Sequence, residues 1–206
     1  MAKMLDAIDS KFEGELSFDG VYSLALVTNT LEHSASVVRG IAAENIATKE
    51  LSSSFFSDID DKIKEYENLS DHQINSTLAP ATALRQFVQK WPEHVVLVST
   101  NANSWLIPML RELDEEFELF KGRTYEVLDL GRVASTTLET QLKKGKQLTD
   151  IFPASRFNTR TGSLSKLSDM VGVSRAMFLR EPIYARARAM TIAESFRRFL
   201  DKELMT

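Results

Sequence analysis

The feature that most constrains the fold is a short apolar run, Val95–Val98, which leads through the polar turn Ser99–Ser104 into a helix-like pattern ending at Leu113. A continuous β-branched and aliphatic run is typical of a strand buried on both faces, because a half-exposed strand alternates apolar and polar residues. In α/β proteins, functional residues lie where such strands end. The run therefore predicts an α/β fold with a candidate site in the turn.

The rest of the chain predicts a mixed sheet. The predicted early strands, which form an antiparallel meander, are Val21–Val27, Ala35–Ala43 and Glu50–Phe56. Thr124–Leu130 predicts a later strand, and the predicted helices are Asp58–Asn68, Ala81–Lys90, Leu138–Leu148 and Leu164–Val171. Since strands alternate with helices in this second part, we expect three early antiparallel strands, then parallel strands, with helices on both faces.

A long last helix is predicted after Pro182. Its apolar spacing predicts one buried face made of Ile183, Ala187, Met190, Ala193 and Phe196.

Length and composition narrow the class of protein. A chain of 206 residues predicts a single domain over residues 1–206, with an N-terminal arm or edge segment at 1–18 and a core over about 21–200. The chain contains no cysteine, which excludes disulfides, thiolate metal sites and a cysteine nucleophile. No apolar run has the length of a membrane span or the pattern of a signal peptide, so we expect a soluble, cytoplasmic protein with no membrane association.

The charge distribution is uneven. The net charge of −4 gives no overall attraction to nucleic acid, yet the chain from Arg156 to Arg198 is locally basic. Solvated arginines on a helical surface are the simpler interpretation, and a phosphate-binding face is the alternative. The three histidines are widely separated and do not have the spacing of metal ligands.

Three short segments carry a resemblance to a known family. They are Val27–Thr30 at the end of the first predicted strand, Asn103–Leu106 after the central strand, and Tyr184–Arg188 in the last helix. In order and spacing, the chain from Tyr22 to Leu200 resembles the DnaQ-like (DEDD) superfamily of 3′–5′ exonucleases, small phage-type members in particular. The resemblance implies a ribonuclease H-like fold.

The family's acidic residues are absent from these segments. The first family strand ends in Asp-x-Glu-Thr, where this chain has Val27, Thr28, Asn29 and Thr30. The family's Asn-Ser-Phe-Asp run is similar to Asn103–Leu106, which places Leu106 at the aspartate. A register that begins on Asn101 places Trp105 there instead.

The last family motif, His-x4-Asp or Tyr-x3-Asp, places Arg188 at the aspartate and leaves Tyr184 as a retained tyrosine. Asp129 is similar to an aspartate that the family carries on a strand but does not use as a metal ligand. The resemblance thus implies that the metal-binding positions Val27, Asn29, Leu106 and Arg188 are vacated.

The missing acids matter because phosphodiester hydrolysis in this family needs two divalent cations about 4 Å apart, held by carboxylates. We therefore expect no metal and no cofactor. An arginine can present to phosphate some of the positive charge of a lost metal. Trp105 either stacks on a base or packs in the core. The candidate binding residues are Asn29, Asn103, Trp105, Arg160, Tyr184 and Arg188.

The leading hypothesis is a catalytically inactive exonuclease-like protein that binds single-stranded nucleic acid or a protein partner. One alternative is an active enzyme whose metals are held by displaced acids such as Asp19, Asp129 or Glu181. Another is a structural or inhibitory protein-interaction module. We expect Arg188 either to contact an acid such as Asp129 or Glu181 or to meet solvent and phosphate, with Arg186 facing outward.

Overall fold

The computed structural model describes residues 18–29, 37–75, 77–134, 143–144, 164, 167–168, 171–173 and 180–201, with only the backbone for Asn75, Asn103 and Asp201. A six-stranded sheet forms its centre. The strands are β1 (Val21–Thr28), β2 (Val38–Asn45), β3 (Leu51–Phe56), β4 (Ile74–Asn75), β5 (His94–Ser99) and β6 (Thr124–Asp129).

The strands lie in the order β4-β3-β2-β1-β5-β6. β1 pairs with β2 and β2 with β3 in antiparallel fashion. β1 pairs with β5, and β5 with β6, in parallel. This confirms the predicted mixed sheet, with the first strand and the Val95–Val98 strand as neighbours at its centre. Because β1, β5 and β6 are parallel, their carboxyl ends meet at one edge.

The helices connect and cover these strands. They are α1 (Asp61–Glu67), α2 (Pro80–Val88), α3 (Ile107–Phe117) and α4 (Tyr184–Asp201), and a π-helical turn, Ala102–Leu106, precedes α3. None of the described helices is long and apolar enough to cross a membrane. The helices predicted at 138–148 and 164–171 lie largely outside the described residues.

The two faces of β1 pack against different helices. Leu24 and Leu26 belong to the apolar cluster that contains the buried residues of α2 and α3. Ala25 and Val27 point the other way and pack in a cluster with Ala185 at the start of α4. Successive side chains of a strand alternate between faces, so β1 is buried on both sides. This confirms the expected helices on both faces of the sheet.

The buried face of α4 is rotated from the predicted one. Ala185 and Ala189 are fully buried, whereas Ala187 and Met190 are only half-buried. The prediction was wrong at this end of the helix because Ala185 and Ala189 pack in one cluster with Ala42 of β2, where only small side chains allow helix and sheet to approach closely. Arg188 is adjacent to Ala189, so this close approach also brings the Arg188 side chain to the end of β1.

Candidate functional site

A cleft of about 370 Å³ lies at the carboxyl end of β1. The end of β1, helix α1, the π-helical turn and α4 all contribute to its wall. The lining residues are Leu26, Val27, Thr28, Asn29, Ile63, Tyr66, Glu67, Trp105 and Arg188. The structure therefore brings together residues from each of the three sequence segments that resemble the exonuclease motifs.

The π-helical turn separates the two candidates for the middle aspartate position. Trp105 is half-buried and lines the cleft, whereas Leu106 is fully buried in the core. Asn101 precedes the turn with φ of 56°, and its carbonyl accepts a hydrogen bond from the Trp105 N–H at 3.2 Å. The register that begins on Asn101 puts Trp105 at the family's aspartate position, and this is the register whose residue lines the cleft.

The cleft contains an ion pair that sequence reasoning missed. The Arg188 Nη2 atom lies 2.7 Å from Oε1 of Glu67 and donates a second hydrogen bond, of 3.3 Å, to the Leu26 carbonyl. The guanidinium also lies over the Tyr184 ring, 5.1 Å from its centroid. Arg188 therefore contacts an acid, as one of the two expected outcomes has it, but that acid is Glu67 and not Asp129 or Glu181.

The pair is buried unequally. The Glu67 side chain is 3% exposed and that of Arg188 is 27% exposed. Burial raises the pKa of Glu67, although Arg188 and a hydrogen bond from the Ala185 backbone lower it. Oε2 of Glu67 and Nε of Arg188 have no hydrogen-bond partner among the described residues. Among the described residues that line the cleft, Glu67 is the only carboxylate, and it is already paired with an internal cation.

Asn29 has a structural role at its position. Its side-chain amide donates to the Asp58 carbonyl at 2.8 Å and accepts from the Asp60 N–H at 3.2 Å. An ionised carboxylate can only accept hydrogen bonds, so it could not make both contacts. The amide therefore ties the end of β1 to the segment that leads into α1.

The ends of α1 and α4 are joined beside the cleft. The rings of Tyr66 and Tyr184 meet edge to face, with centroids 5.1 Å apart. The Asn68 side chain donates a hydrogen bond of 2.9 Å to the Pro182 carbonyl. The contact between the Tyr66 and Tyr184 side chains raises the pKa of Tyr66, and burial raises it by a smaller amount. These contacts hold Glu67 against α4.

The displaced acids proposed as metal ligands do not line the cleft. Asp19 precedes β1, whose length places it roughly 25 Å from the carboxyl end. Asp129 accepts a hydrogen bond from the Arg132 N–H at 3.2 Å. Glu181 accepts one from the Ile183 N–H at 3.1 Å and lies 3.2 Å from Arg186, which is therefore paired instead of facing freely outward.

Two candidate binding residues give no side-chain geometry. Asn103 lies within the π-helical turn, but its side chain is outside the described part of the chain, as is the whole of Arg160. Within that described part, no group of three or more histidine and acidic side chains is arranged to hold a metal ion.

Glu67 could have been found from a local signal. It lies four residues after Ile63, so the two share one face of α1. A carboxylate on an apolar face is rarely buried without a partner, which predicts a basic residue nearby but not which one.

Comparisons with known proteins support the fold. No protein-family model matches the sequence, and no curated protein matches it. The architecture belongs to the ribonuclease H-like class of α/β folds that the sequence predicts.

Among solved structures, the chain is similar to exonuclease I, in a structure described as suggesting how processivity is achieved. The TM-score is 0.61 with 9% identity over 88% of this chain. A product-bound exonuclease I gives a TM-score of 0.60 with 9% identity over 89% of this chain. The aligned part spans 40% and 43% of those chains. The similarity shows an exonuclease fold in this chain.

Proposed function

We propose that the chain is a degenerate, phage-type member of the DnaQ-like superfamily that has lost metal-dependent catalysis and acts by binding a protein partner. One observation carries this proposal. The cleft at the end of β1 has Val27, Asn29, Trp105 and Arg188 at the family's acid positions, and Glu67, the only carboxylate among the described residues that line it, is paired with Arg188. Two hard cations need several carboxylate oxygens, and a guanidinium among them would repel both cations.

The roles of the displaced acids also support lost catalysis. Glu181 is engaged by the Ile183 N–H and Arg186, and Asp129 by the Arg132 N–H. To bind metal at the cleft, either acid would have to give up these contacts and move. An active enzyme with displaced ligands is therefore the weaker hypothesis.

The pairing of the α4 arginines favours a protein over a nucleic acid as the partner. Each arginine of α4 lies within 4 Å of a carboxylate: Arg186 of Glu181, Arg188 of Glu67, Arg197 of Glu44, and Arg198 of Glu194. Nucleic-acid affinity depends on cations that neutralise phosphates. Since carboxylates already neutralise these arginines, α4 does not present the basic face that its sequence suggested.

The proposal predicts no 3′-end shortening of labelled single-stranded DNA or RNA by the purified protein with Mg²⁺ or Mn²⁺. Isothermal titration of Mn²⁺ is expected to give no saturable heat, because the described lining of the cleft offers one carboxylate that is already paired. Shortening that requires the metal and disappears in Asp129→Asn or Glu181→Gln would instead establish the active-enzyme alternative. A catalytic exonuclease of the same fold serves as the positive control.

Nucleic-acid binding is the second candidate function, and Trp105 in the cleft wall favours it, since an indole can stack on a base. Fluorescence anisotropy with labelled single-stranded DNA and RNA tests it. We expect no saturable binding at physiological salt. Binding that weakens in Trp105→Ala and in Arg188→Ala, with a smaller salt dependence in the arginine variant, would favour nucleic acid over protein.

A further inference from the structure

The cleft has an apolar wall with an exposed aromatic side chain at its edge. Leu26, Val27 and Ile63 contribute aliphatic surface, and Trp105 an indole. Tyr66 is 61% exposed and is the exposed large hydrophobic residue of the described chain. Exposed aromatics beside a pocket are typical anchors of protein interfaces.

The mouth of the cleft is acidic on the α1 side. Asp58 and Asp60 are exposed and lie directly beside the cleft residue Asn29, whose amide contacts the backbone of both. Farther along α1, Asp61 and Glu65 are also exposed. Within the described part of the chain, none of these acids is in an ion pair, and the nearby Lys64 is paired with Asp71. Two cations offset part of the acidic charge: Lys62 is exposed, and the Arg39 guanidinium donates to the Asp58 carbonyl at 3.2 Å.

The interior of the cleft adds a second polar feature. Glu67 is almost completely buried, and its Oε2 has no hydrogen-bond partner among the described residues. Nε of Arg188, in the same cleft, also has no hydrogen-bond partner among the described residues, so the interior favours neither sign of charge. The acidic mouth is the feature that favours a cationic ligand over an anionic one. The apolar wall requires that the same ligand also bury apolar surface.

Building on the proposed function, we infer that this cleft is a docking site for a basic segment of a partner protein. The segment inserts one apolar or aromatic side chain against Val27, Ile63 and Trp105, while its lysines or arginines face Asp58 and Asp60. The buried anchor supplies most of the affinity, and the charges supply specificity and rapid association.

Synthetic peptides test the ligand chemistry. The basic probe is a fluorescein-labelled 12-residue peptide with a central phenylalanine flanked by lysines and arginines. In one control peptide, glutamates replace the basic residues, and in another, serine replaces phenylalanine. By fluorescence anisotropy, we expect each control to bind about tenfold more weakly or not at all, since loss of either the anchor or the charges removes about 1.4 kcal/mol or more.

Variants of the protein test the location. Tyr66→Ala is expected to weaken binding of the basic peptide about tenfold. Because the Tyr66 ring also contacts Tyr184, urea denaturation of the variant must show that its fold is retained. Asp58→Asn/Asp60→Asn should weaken binding about threefold and reduce its salt dependence. Asparagine suits the positive φ of 65° at Asp58 and keeps the cap that Asp60 provides to α1. The matched control is Glu115→Gln/Glu116→Gln on α3, which removes the same charge away from the cleft and should change nothing.

Each outcome decides the inference. Equal binding of basic and acidic peptides, no binding of either, or an unchanged affinity in Tyr66→Ala overturns it. Self-association that Tyr66→Ala abolishes would assign the cleft to a second copy of this chain and overturn it as well. The nuclease assay reports on lost catalysis independently, so the docking inference can fail while the proposed inactive domain stands. Cleft-dependent binding of a DNA oligonucleotide would overturn both the docking inference and the protein-partner proposal.

Discussion

At pH 7, Arg188→Met is expected to lower the free energy of unfolding by about 3 kcal/mol, as measured by urea denaturation. The substitution keeps an unbranched side chain but leaves the buried carboxylate of Glu67 without its cation. Removing one partner of a buried pair costs about 3–5 kcal/mol, and we take the low end because the Arg188 side chain is 27% exposed. Arg186→Met, on a more exposed pair in the same helix, is the control and should cost about 1 kcal/mol or less.

The loss should shrink as the pH falls. Burial raises the pKa of Glu67 above its ordinary value of 4.5, and removing Arg188 removes an influence that lowers it. A carboxyl whose pKa is raised in the folded state favours folding most below the unfolded pKa, and that contribution is lost as the pH rises through the folded pKa. Without Arg188, the folded-state pKa of Glu67 is higher still, so the variant loses more stability than the wild type as the pH rises. The free energies of unfolding of the two proteins should therefore converge toward pH 4.5 and differ most at higher pH.

The double variant Glu67→Leu/Arg188→Met separates the pair from the packing around it. Replacement of a whole buried pair by apolar residues is often neutral or stabilising. We therefore expect the double variant to recover most of the stability lost in Arg188→Met. If Arg188→Met were as stable as the wild type at pH 7, Glu67 would have found water or another partner. That result would remove the main support for the proposed loss of metal binding at the cleft.

The central strands could be predicted because their signal is local. Val95–Val98 and Val21–Val27 are continuous apolar runs, and both became neighbouring strands of the sheet. The second strand was placed at Ala35–Ala43 but lies at Val38–Asn45. The prediction ended this strand at Ala43 and left out the polar residues Glu44 and Asn45, yet Glu44 lies in the strand and is paired with Arg197 on α4, far away in the sequence.

The positions of the site could also be predicted, but not its chemistry. Val27, Asn29 and Arg188 follow from motif spacing, and all three line the cleft. At the middle position the spacing left two registers: Trp105 lines the cleft, whereas Leu106, which was given as the vacated position, is buried in the core. The partner of Arg188 did not follow, since Glu67 is separated from it by 121 residues and no local pattern relates the two. Only the folded chain brings the end of α1 against α4. The same limit applies to the face of α4, which depends on the small residue Ala42 of β2.

The second large effect is expected at the other buried pair of α4. Arg197 lies 2.6 Å from Glu44, and its guanidinium also donates to the carbonyls of Ile46 at 2.9 Å and Asn45 at 3.2 Å. The side chains of Arg197 and Glu44 are 15% and 5% exposed. Through these contacts, Arg197 attaches α4 to the end of β2 and the turn after it.

Arg197→Met should lower the free energy of unfolding by about 4 kcal/mol and the melting temperature by roughly 10 °C. The loss exceeds that of Arg188→Met because Arg197 is more deeply buried than Arg188, and because two carbonyls lose a donor where Arg188→Met removes one. The neighbouring Arg198→Met is the control: its guanidinium also donates to two carbonyls, those of Val171 and Gly172, but its pair with Glu194 is more exposed, so a loss of about 2 kcal/mol is expected. Scanning calorimetry of the two variants compares them directly.

Equal losses at the two positions would mean that general repacking of α4, and not the buried charge of Glu44, determines the effect. The loss expected in Arg188→Met would then lose its basis as well, because both predictions depend on the cost of leaving a buried carboxylate without its cation.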